Sequence, residues 1–190
     1  MSWDTKWTGK MWVAQQSVQT DGRVFERVLR APGSRIIIVK NNQLLLSREK
    51  RAELGGVVDY RLPGGKVFDT NQAYQEFIES GKDIVAASRE SIAKEALEEV
   101  GVVVDPAKLE YLGVDILGAT CAWDLHYWLA TESDEHSEGA QYHESEADEI
   151  EGSEWVTFEK AKELVLDGAQ FAESRSAIRL LRWIESRSNR

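Results

Sequence analysis

The pattern of hydrophobic and polar residues predicts strands in the first third of the chain. Segments rich in β-branched and aromatic residues are separated by turn signals at Thr20-Asp21-Gly22, Pro32-Gly33 and Asn41-Asn42. The expected strands are 11–18, 23–29, 35–40, 43–49 and 57–62. The last strand runs into Pro63-Gly64-Gly65, which neither a strand nor a helix would cross.

A helical period replaces this pattern in the middle of the chain. Apolar residues recur there at spacings of about seven and four, which predicts one helix over 83–100 that ends at Gly101. The other expected elements are strands at 108–118, 122–131 and 154–157, and helices at 158–167 and 173–186. Because strands and helices mix without strict alternation, the sequence predicts an α+β fold.

Composition limits the kind of protein that this chain can be. Its 190 residues, 42% of them hydrophobic, suit one compact domain. We expect a cytoplasmic protein without membrane contact, because the chain has no run of eighteen apolar residues and MSWDTKWTGK does not resemble a signal peptide. One cysteine and three scattered histidines disfavour a disulfide framework or a zinc site. A net charge of −10 disfavours binding to nucleic acid.

Three glutamates, Glu95, Glu98 and Glu99, crowd the end of the long helix. Like charges three or four residues apart destabilise a helix by a few tenths of a kcal/mol per pair, roughly. We expect these side chains to project to one side while Ala96 and Val100 face the core. Either the glutamates form a solvated acidic face, or they bind a hard cation such as Mg²⁺ or Mn²⁺ through their oxygens.

The segments RLPGGKV at 61–67 and AKEALEEVGV at 93–102 together resemble the signature of the Nudix hydrolase family. The matching positions in the second segment are Glu95, Ala96, Glu98, Glu99, Gly101 and Val102. Lys94 replaces the family's arginine, and Ala86 stands where its upstream glutamate is expected. Gly65 precedes Lys94 by 29 positions where the family pattern has 14, which implies an insertion of 15 residues within about 68–85.

The resemblance implies the Nudix fold, a mixed sheet sandwiched between helices. Residues 34–190 would form this domain, and residues 1–33 would add an N-terminal strand region that can act as a dimerisation arm. It also implies metal-dependent hydrolysis of a diphosphate, with Mg²⁺, or Mn²⁺, as the cofactor. The implied metal ligands are Glu95, Glu98, Glu99 and the carbonyl of Gly65, with Glu98 and Glu99 also counted as catalytic.

The order of elements before the signature resembles the ADP-ribose and nucleoside-diphosphate-sugar pyrophosphatase branch, whose members usually form homodimers. Trp3, Trp7 and Trp12 supply apolar surface for such an interface, although internal packing would bury the same rings. The branch also implies that Trp12 stacks on the nucleotide base. Arg51 and Arg61 are candidates for binding diphosphate oxygens, and ordinary surface arginines are the alternative.

An acidic loop from Glu132 to Glu154 contains ten acidic residues and no lysine or arginine. In the branch that this chain resembles, a glutamate from the loop before the last strand approaches the metal and helps to activate water. Glu149 is the first candidate for that role and Glu146 the second.

Three functions remain open on the sequence. The first is a pyrophosphatase that cleaves ADP-ribose or a nucleotide sugar into a nucleoside monophosphate and a sugar phosphate. The second is a house-cleaning hydrolase of nucleoside triphosphates. The third is a non-catalytic nucleotide-sensing domain, for which Lys94 and Ala86 are the supporting departures.

Overall fold

The computed structural model describes residues 2–50, 55–142, 149–168 and 170–188. The strands are β1 Asp4–Thr8, β2 Trp12–Val18, β3 Val24–Arg30, β4 Gly33–Lys40, β5 Gln43–Lys50, β6 Val58–Arg61, β7 Val102–Val103, β8 Glu110–Asp115, β9 Cys121–Ala122, β10 Leu125–Ala130, β11 Asp134–Glu135 and β12 Ile150–Thr157. The helices are α1 Asn71–Glu79, α2 Ile84–Val100, α3 Phe158–Asp167 and α4 Ser174–Ser188. None of the helices in these ranges has both the length and the apolarity needed to cross a membrane.

A six-stranded mixed sheet forms the centre of the molecule. Its order is β12-β5-β4-β10-β8, with β6 paired to β5. Strands β4 and β10 run parallel, whereas the other pairs in this sheet are antiparallel. Helix α2 packs on one face, and α3 and α4 pack on the other. The predicted α+β fold, with a mixed sheet between helices, is confirmed.

Strand β4 is central because its side chains are apolar on both faces. Ile36 and Ile38 pack toward α2, together with Ile92 and Ala96 of that helix. The alternate residues, of which Ile37 is fully buried, pack toward α3 and α4. A run of β-branched residues that is buried on both sides is typical of a central strand with helices on both faces.

A second sheet at the N-terminus has the order β1-β2-β3-β9. The strands expected at 11–18 and 23–29 correspond to β2 and β3, whereas β1 and β9 were not predicted. Strand β9 belongs to the second half of the chain. It pairs parallel to β3, opposite Val28 and Leu29. The N-terminal region is therefore joined to the rest of the molecule by strand pairing.

Segment 68–85, in which the sequence predicts an insertion, contains helix α1. Its N-cap is Thr70, whose hydroxyl accepts a hydrogen bond from the Ala73 amide at 3.1 Å. Phe68 packs against Tyr74 and Phe77, with ring centroids 5.4 and 4.9 Å apart. The Asn71 amide donates to the Lys10 carbonyl at 2.8 Å. This segment is thus partly helical and also contacts the N-terminal region.

Two features bring the glycine loop and the long helix together. The loop runs beside the start of β4, where the Ser34 amide donates to the Gly65 carbonyl and the Ile36 amide donates to the Pro63 carbonyl, each at 3.0 Å. Helix α2 begins after the N-cap Asp83 and ends at Gly101, which has φ 67° and is the predicted C-cap. The end of α2 packs over the face of β4 and so lies beside the loop.

Candidate active site

The loop and the helix meet through a hydrogen bond between Gly64 and Glu99. The Gly64 amide donates to Glu99 Oε2 at 2.7 Å, and Glu99 is only 6% exposed. Gly64 has φ 141°, and a Cβ at this position would lie 2.2 Å from the Ser34 carbonyl oxygen. Backbone conformation and close approach therefore both require glycine here.

The three glutamates of α2 take different environments. The Glu95 carboxylate lies against Gly65, where a Cβ would come within 2.3 Å of Oε1. Glu98 forms a 3.0 Å ion pair with the exposed Lys94. Glu99 is buried on the side of the helix that carries Ala96 and Val100. The expectation that all three glutamates project away from these core residues is wrong for Glu99.

A fourth glutamate, Glu49 on β5, was missed from the sequence. It is 3% exposed, accepts a hydrogen bond from the Ser47 hydroxyl at 3.3 Å and lies 3.6 Å from Nε of Arg61. Strand alternation places it on the same face as Leu45, which packs against α2. The sequence contained a signal for this position, because strand alternation places the Glu49 carboxylate on the face that Leu45 buries.

The pKa of Glu99 lies well above its ordinary value. Burial is the largest cause, and the negative charges of Glu49 and Glu95 add to it. The Gly64 amide and the Arg35 guanidinium oppose this shift but do not cancel it. A cation at this position would relieve the same repulsion.

Arg35 of β4 is a second residue that the sequence analysis missed. Its Nη1 donates to the carbonyls of Gly64 at 2.5 Å and Ser34 at 3.0 Å, and its Nε donates to Glu173 at 3.0 Å. Burial alone would lower the pKa of Arg35. Nearby carboxylates, above all Glu173 and Glu99, have the larger combined effect and raise that pKa above its ordinary value. Arg35 therefore stays charged beside the glycine loop. An arginine at the head of an apolar strand was the available signal.

A cavity of about 300 Å³ opens at this junction. Its walls carry three carboxylates and three basic side chains, each from a different part of the chain, together with aromatic and apolar surface. The lining residues are Met11, Arg30, Gly33, Arg35, Glu49, Gly64, Gly65, Lys66, Glu99, Trp123, Glu149 and Ile150. A larger cavity of about 460 Å³ lies between the N-terminal sheet and α1, and its lining contains no carboxylate. The smaller cavity is therefore the candidate site.

The structure places the other predicted site residues as follows. Glu149 lines the cavity, and its carbonyl accepts a hydrogen bond from the Lys50 amide at 2.7 Å. Arg61 contacts Asp59 at 2.8 Å as well as Glu49, and its side chain is 13% exposed. Trp12 packs edge-on against Trp123, with centroids 6.3 Å apart. Arg51 and Glu146 lie outside the described residues.

The residues present fit a hard divalent cation by their chemistry. Carboxylate and carbonyl oxygens are the donors that Mg²⁺ prefers, and the clustered charges of Glu49, Glu95 and Glu99 favour a cation. Within the described parts of the chain, no three His, Cys, Asp or Glu side chains are gathered into a metal-binding group. Holding an ion would therefore require side-chain rotation, foremost the release of Glu98 from Lys94.

Comparison with known proteins agrees with the fold and the motif. The NUDIX domain model matches residues 29–177. A solved structure titled "Crystal structure of ADP compounds hydrolase" has a TM-score of 0.69 and 16% identity, covering 98% of this chain and 94% of that one. No curated protein matches the chain.

Two further solved structures are similar over part of the chain. A MutT NUDIX hydrolase from Burkholderia pseudomallei has a TM-score of 0.47 and 22% identity, with 68% of this chain and 84% of that one covered. A MutT protein from Bacillus halodurans has a TM-score of 0.48 and 21% identity, with 78% of each chain covered. Because the family model spans most of the sequence, including both parts of the site, the chain belongs to the Nudix family and is a Nudix hydrolase.

Proposed function

We propose that this Nudix hydrolase cleaves the diphosphate bond of a nucleoside diphosphate linked to another moiety, foremost ADP-ribose or a nucleotide sugar. The products would be a nucleoside monophosphate and a sugar phosphate. The observation that carries the proposal is the composition of the cavity, where Glu49, Glu99 and Glu149 face the basic side chains of Arg30 and Lys66. Carboxylates suit a metal ion, and the cations suit diphosphate oxygens.

The proposed cofactor is Mg²⁺, with Mn²⁺ as a substitute. Glu95, Glu98, Glu99 and the Gly65 carbonyl would hold it, as the family signature implies. When bound, the ion supplies charge neutralisation at the phosphates and activation of water. The Gly65 carbonyl already accepts one backbone hydrogen bond, but a carbonyl oxygen has a second lone pair.

The remaining steps belong to side chains of the cavity wall. Glu149 is proposed to accept the proton of the attacking water, with Glu146 as the second candidate and Glu98 and Glu99 as the carboxylates that orient the reacting groups. Arg30 and Lys66 are proposed to bind the diphosphate, and Arg51 keeps that role as a candidate. Because Arg61 is engaged with Asp59 and Glu49, we assign it to holding Glu49 and not to contacting substrate.

An aromatic subsite supports a nucleotide substrate. Trp123 contacts two guanidinium groups, those of Arg30, at 4.3 Å from the ring centroid, and Arg175, at 4.5 Å. Trp12 packs beside it and is 5.3 Å from Arg30. A base could stack at the rim that these rings form. The protein named as an ADP compounds hydrolase shares the fold over almost the whole chain, which agrees with this substrate class.

A homodimer formed through the N-terminal sheet is the proposed assembly. Trp3 and Trp12 are covered within the chain by Arg27 and Trp123, whereas Trp7 is 57% exposed. Trp7 pairs with Ala14, Ala14 with Val28, and Val28 with Cys121. Directly opposed residues share a face, so this row forms one apolar stripe across the sheet. A second copy could cover it by two-fold symmetry.

A substrate panel with product analysis tests the proposed reaction. ADP-ribose, nucleotide sugars and nucleoside triphosphates would each be incubated with Mg²⁺, and products would be separated by mass. Release of nucleoside monophosphate and sugar phosphate is expected. Release of pyrophosphate from triphosphates alone would instead favour the house-cleaning function. No hydrolysis together with no Mn²⁺ binding in calorimetry would favour the nucleotide sensor.

A further inference from the structure

We propose that Arg35 is the positioning residue of the metal site and supplies the fixed guanidinium that position 94 lacks. The inference rests on the proposed metal-dependent function. Lys94 is on the exposed side of α2, with a side chain 72% exposed and paired with Glu98. Arg35 approaches the site from β4, on the opposite side of the glycine loop.

Gly64 connects Arg35 to Glu99. Its carbonyl accepts from Arg35 Nη1 at 2.5 Å, and its amide donates to Glu99 Oε2 at 2.7 Å. Both polar groups of one glycine are thus held by charged side chains from different elements. Because φ of Gly64 is 141°, a region open to glycine, the loop has other conformations to adopt if either contact is lost. Arg35 therefore fixes the amide that orients Glu99.

Arg35 is itself fixed from the other side. Its Nε donates to Glu173 at 3.0 Å, and Glu173 also accepts from the Ser176 hydroxyl at 3.0 Å. The side chains of Arg35 and Glu173 are 9% and 13% exposed. A guanidinium can satisfy the Gly64 carbonyl and Glu173 together through its planar fork, whereas one ammonium group cannot match that geometry.

The test compares Arg35→Lys and Arg35→Met with wild type and with Arg179→Met. Arg179 is the matched control, since it also bonds a carboxylate, Asp115, and a carbonyl, Leu112 at 2.9 Å, but lies on α4 and bonds residues of β8 instead of the glycine loop. Three quantities would be measured: Mn²⁺ affinity by calorimetry, exchange of the Gly64 amide proton by NMR, and kcat and KM for ADP-ribose.

Loss of an outer-shell partner typically weakens metal binding by roughly 10–100-fold, and we expect that increase in the Mn²⁺ Kd for both Arg35 variants. Exchange of the Gly64 amide should become faster, because its protection depends on the local structure remaining closed. We expect kcat to fall while KM changes little. Arg179→Met should leave all three quantities near wild type even if the melting temperature falls.

Unchanged Mn²⁺ affinity and unchanged Gly64 exchange in Arg35→Lys would overturn the inference while leaving the proposed function in place. If Arg35→Met does not fold, Arg35→Lys and Glu173→Gln decide, the latter by removing the negative charge that holds Nε, with a smaller effect in the same direction. If wild type binds no Mn²⁺, the proposed function fails. In that case, exchange of the Gly64 amide proton in Arg35→Lys still tests whether Arg35 orders the glycine loop. An unchanged exchange rate would refute this role of Arg35 as well.

Discussion

Glu99 is a buried carboxyl group whose ionised form is disfavoured by burial and by the neighbouring negative charges. It is enclosed beside Ala96 and Val100, and it accepts a hydrogen bond from the backbone amide of Gly64. Glu49 and Glu95 raise its pKa further. Such an arrangement costs stability unless something else is gained, and functional sites are where proteins keep this kind of conflict. A bound cation would relieve this repulsion at Glu99.

Replacing Glu99 or Glu98 by glutamine is expected to remove activity while the fold is retained. Each substitution removes a charged oxygen donor without changing side-chain volume. The fall in kcat should exceed the roughly 10–100-fold that loss of an outer-shell partner causes. Glu90→Gln, on an exposed part of the same helix, is the control. Near-wild-type kcat in both Glu98→Gln and Glu99→Gln would exclude this metal site.

Lys94→Arg is expected to retain activity. The side chain is exposed and contacts Glu98, and a guanidinium can make the same contact with two hydrogen bonds. Steady-state kinetics should show kcat/KM within the roughly threefold that a change below about 0.6 kcal/mol allows. A large loss would mean that the ammonium group itself is needed near the metal.

Between elements, the ion pair of Arg35 and Glu173 links β4 to the start of α4. The pair is nearly buried, so removing one partner leaves the other charge without compensation. Burial would raise the pKa of Glu173, but Arg35 outweighs burial and holds that pKa below its ordinary value. The pair therefore contributes stability that depends on Glu173 being ionised.

Glu173→Gln should lower the free energy of unfolding at pH 7 by about 3 kcal/mol, the lower end of the cost of breaking a buried pair. The contribution is present above the unfolded pKa of about 4.3 and is lost as pH falls through the lower folded value. Urea unfolding from pH 7 to pH 3 should therefore show the difference between wild type and variant narrowing below about pH 4.

The control for this pH dependence is Glu132→Gln. Glu132 pairs with Lys108 on the surface, where ion pairs contribute about 0–1 kcal/mol. Its difference from wild type should be small throughout the pH range. A Glu173→Gln difference that stays constant down to pH 3 would contradict the assigned role of the ionised pair.

The sequence predicted elements better than it predicted the site. Local periodicity and turn residues were sufficient for β2 to β6, α2, α3 and α4, most of them within two residues of their observed ends. Helix α2 ends at Gly101 because a left-handed C-cap is a local requirement. The short strands β7, β9 and β11 escaped prediction, since each depends on a distant partner strand and carries little pattern of its own.

Contacts distant in sequence explain the site residues that were missed. Arg35 and Glu173 are 138 positions apart, and Gly64 and Glu99 are 35 apart. The family signature predicts Glu95, Glu98, Glu99 and Gly65 as site residues, but it contains neither Arg35 nor Glu49. Their roles depend on which strands pair, and that pairing is decided by the packing of the whole sheet.

For the whole molecule, the uncovered stripe on the N-terminal sheet is the main exposed apolar feature at that end. Val28 is 36% exposed within the stripe, and Val18 and Val24, at 61% and 54%, form a second pair on the same face, separated from the stripe by Gln16 and Glu26. Exposed apolar patches of this kind often mark contacts with other proteins. Strand β3 of this sheet ends at Arg30, which lines the cavity.

The protein is expected to sediment as a dimer at micromolar concentration and not as a 21.5 kDa monomer. Val28→Asp places a charge in the stripe and should shift the protein to monomer. Removal of residues 1–20 should also give monomer with impaired catalysis, although it takes away β1 and β2 as well. Leu166→Asp is the control, because Leu166 is 72% exposed on α3. A wild-type monomer would rule out the dimer.

Helix α1 has a consequence for how the chain closes on itself. The insertion separates the glycine loop from Lys94 by 29 positions where the family pattern has 14, so the connecting segment is about twice as long. Polymer theory gives an entropic cost of only about 0.6 kcal/mol for each doubling of a flexible loop. The Thr70 cap and the Phe68 contacts order much of the added length, and each contributes on that scale. The longer connection between the glycine loop and α2 therefore adds little to the free-energy cost of bringing the two parts of the site together.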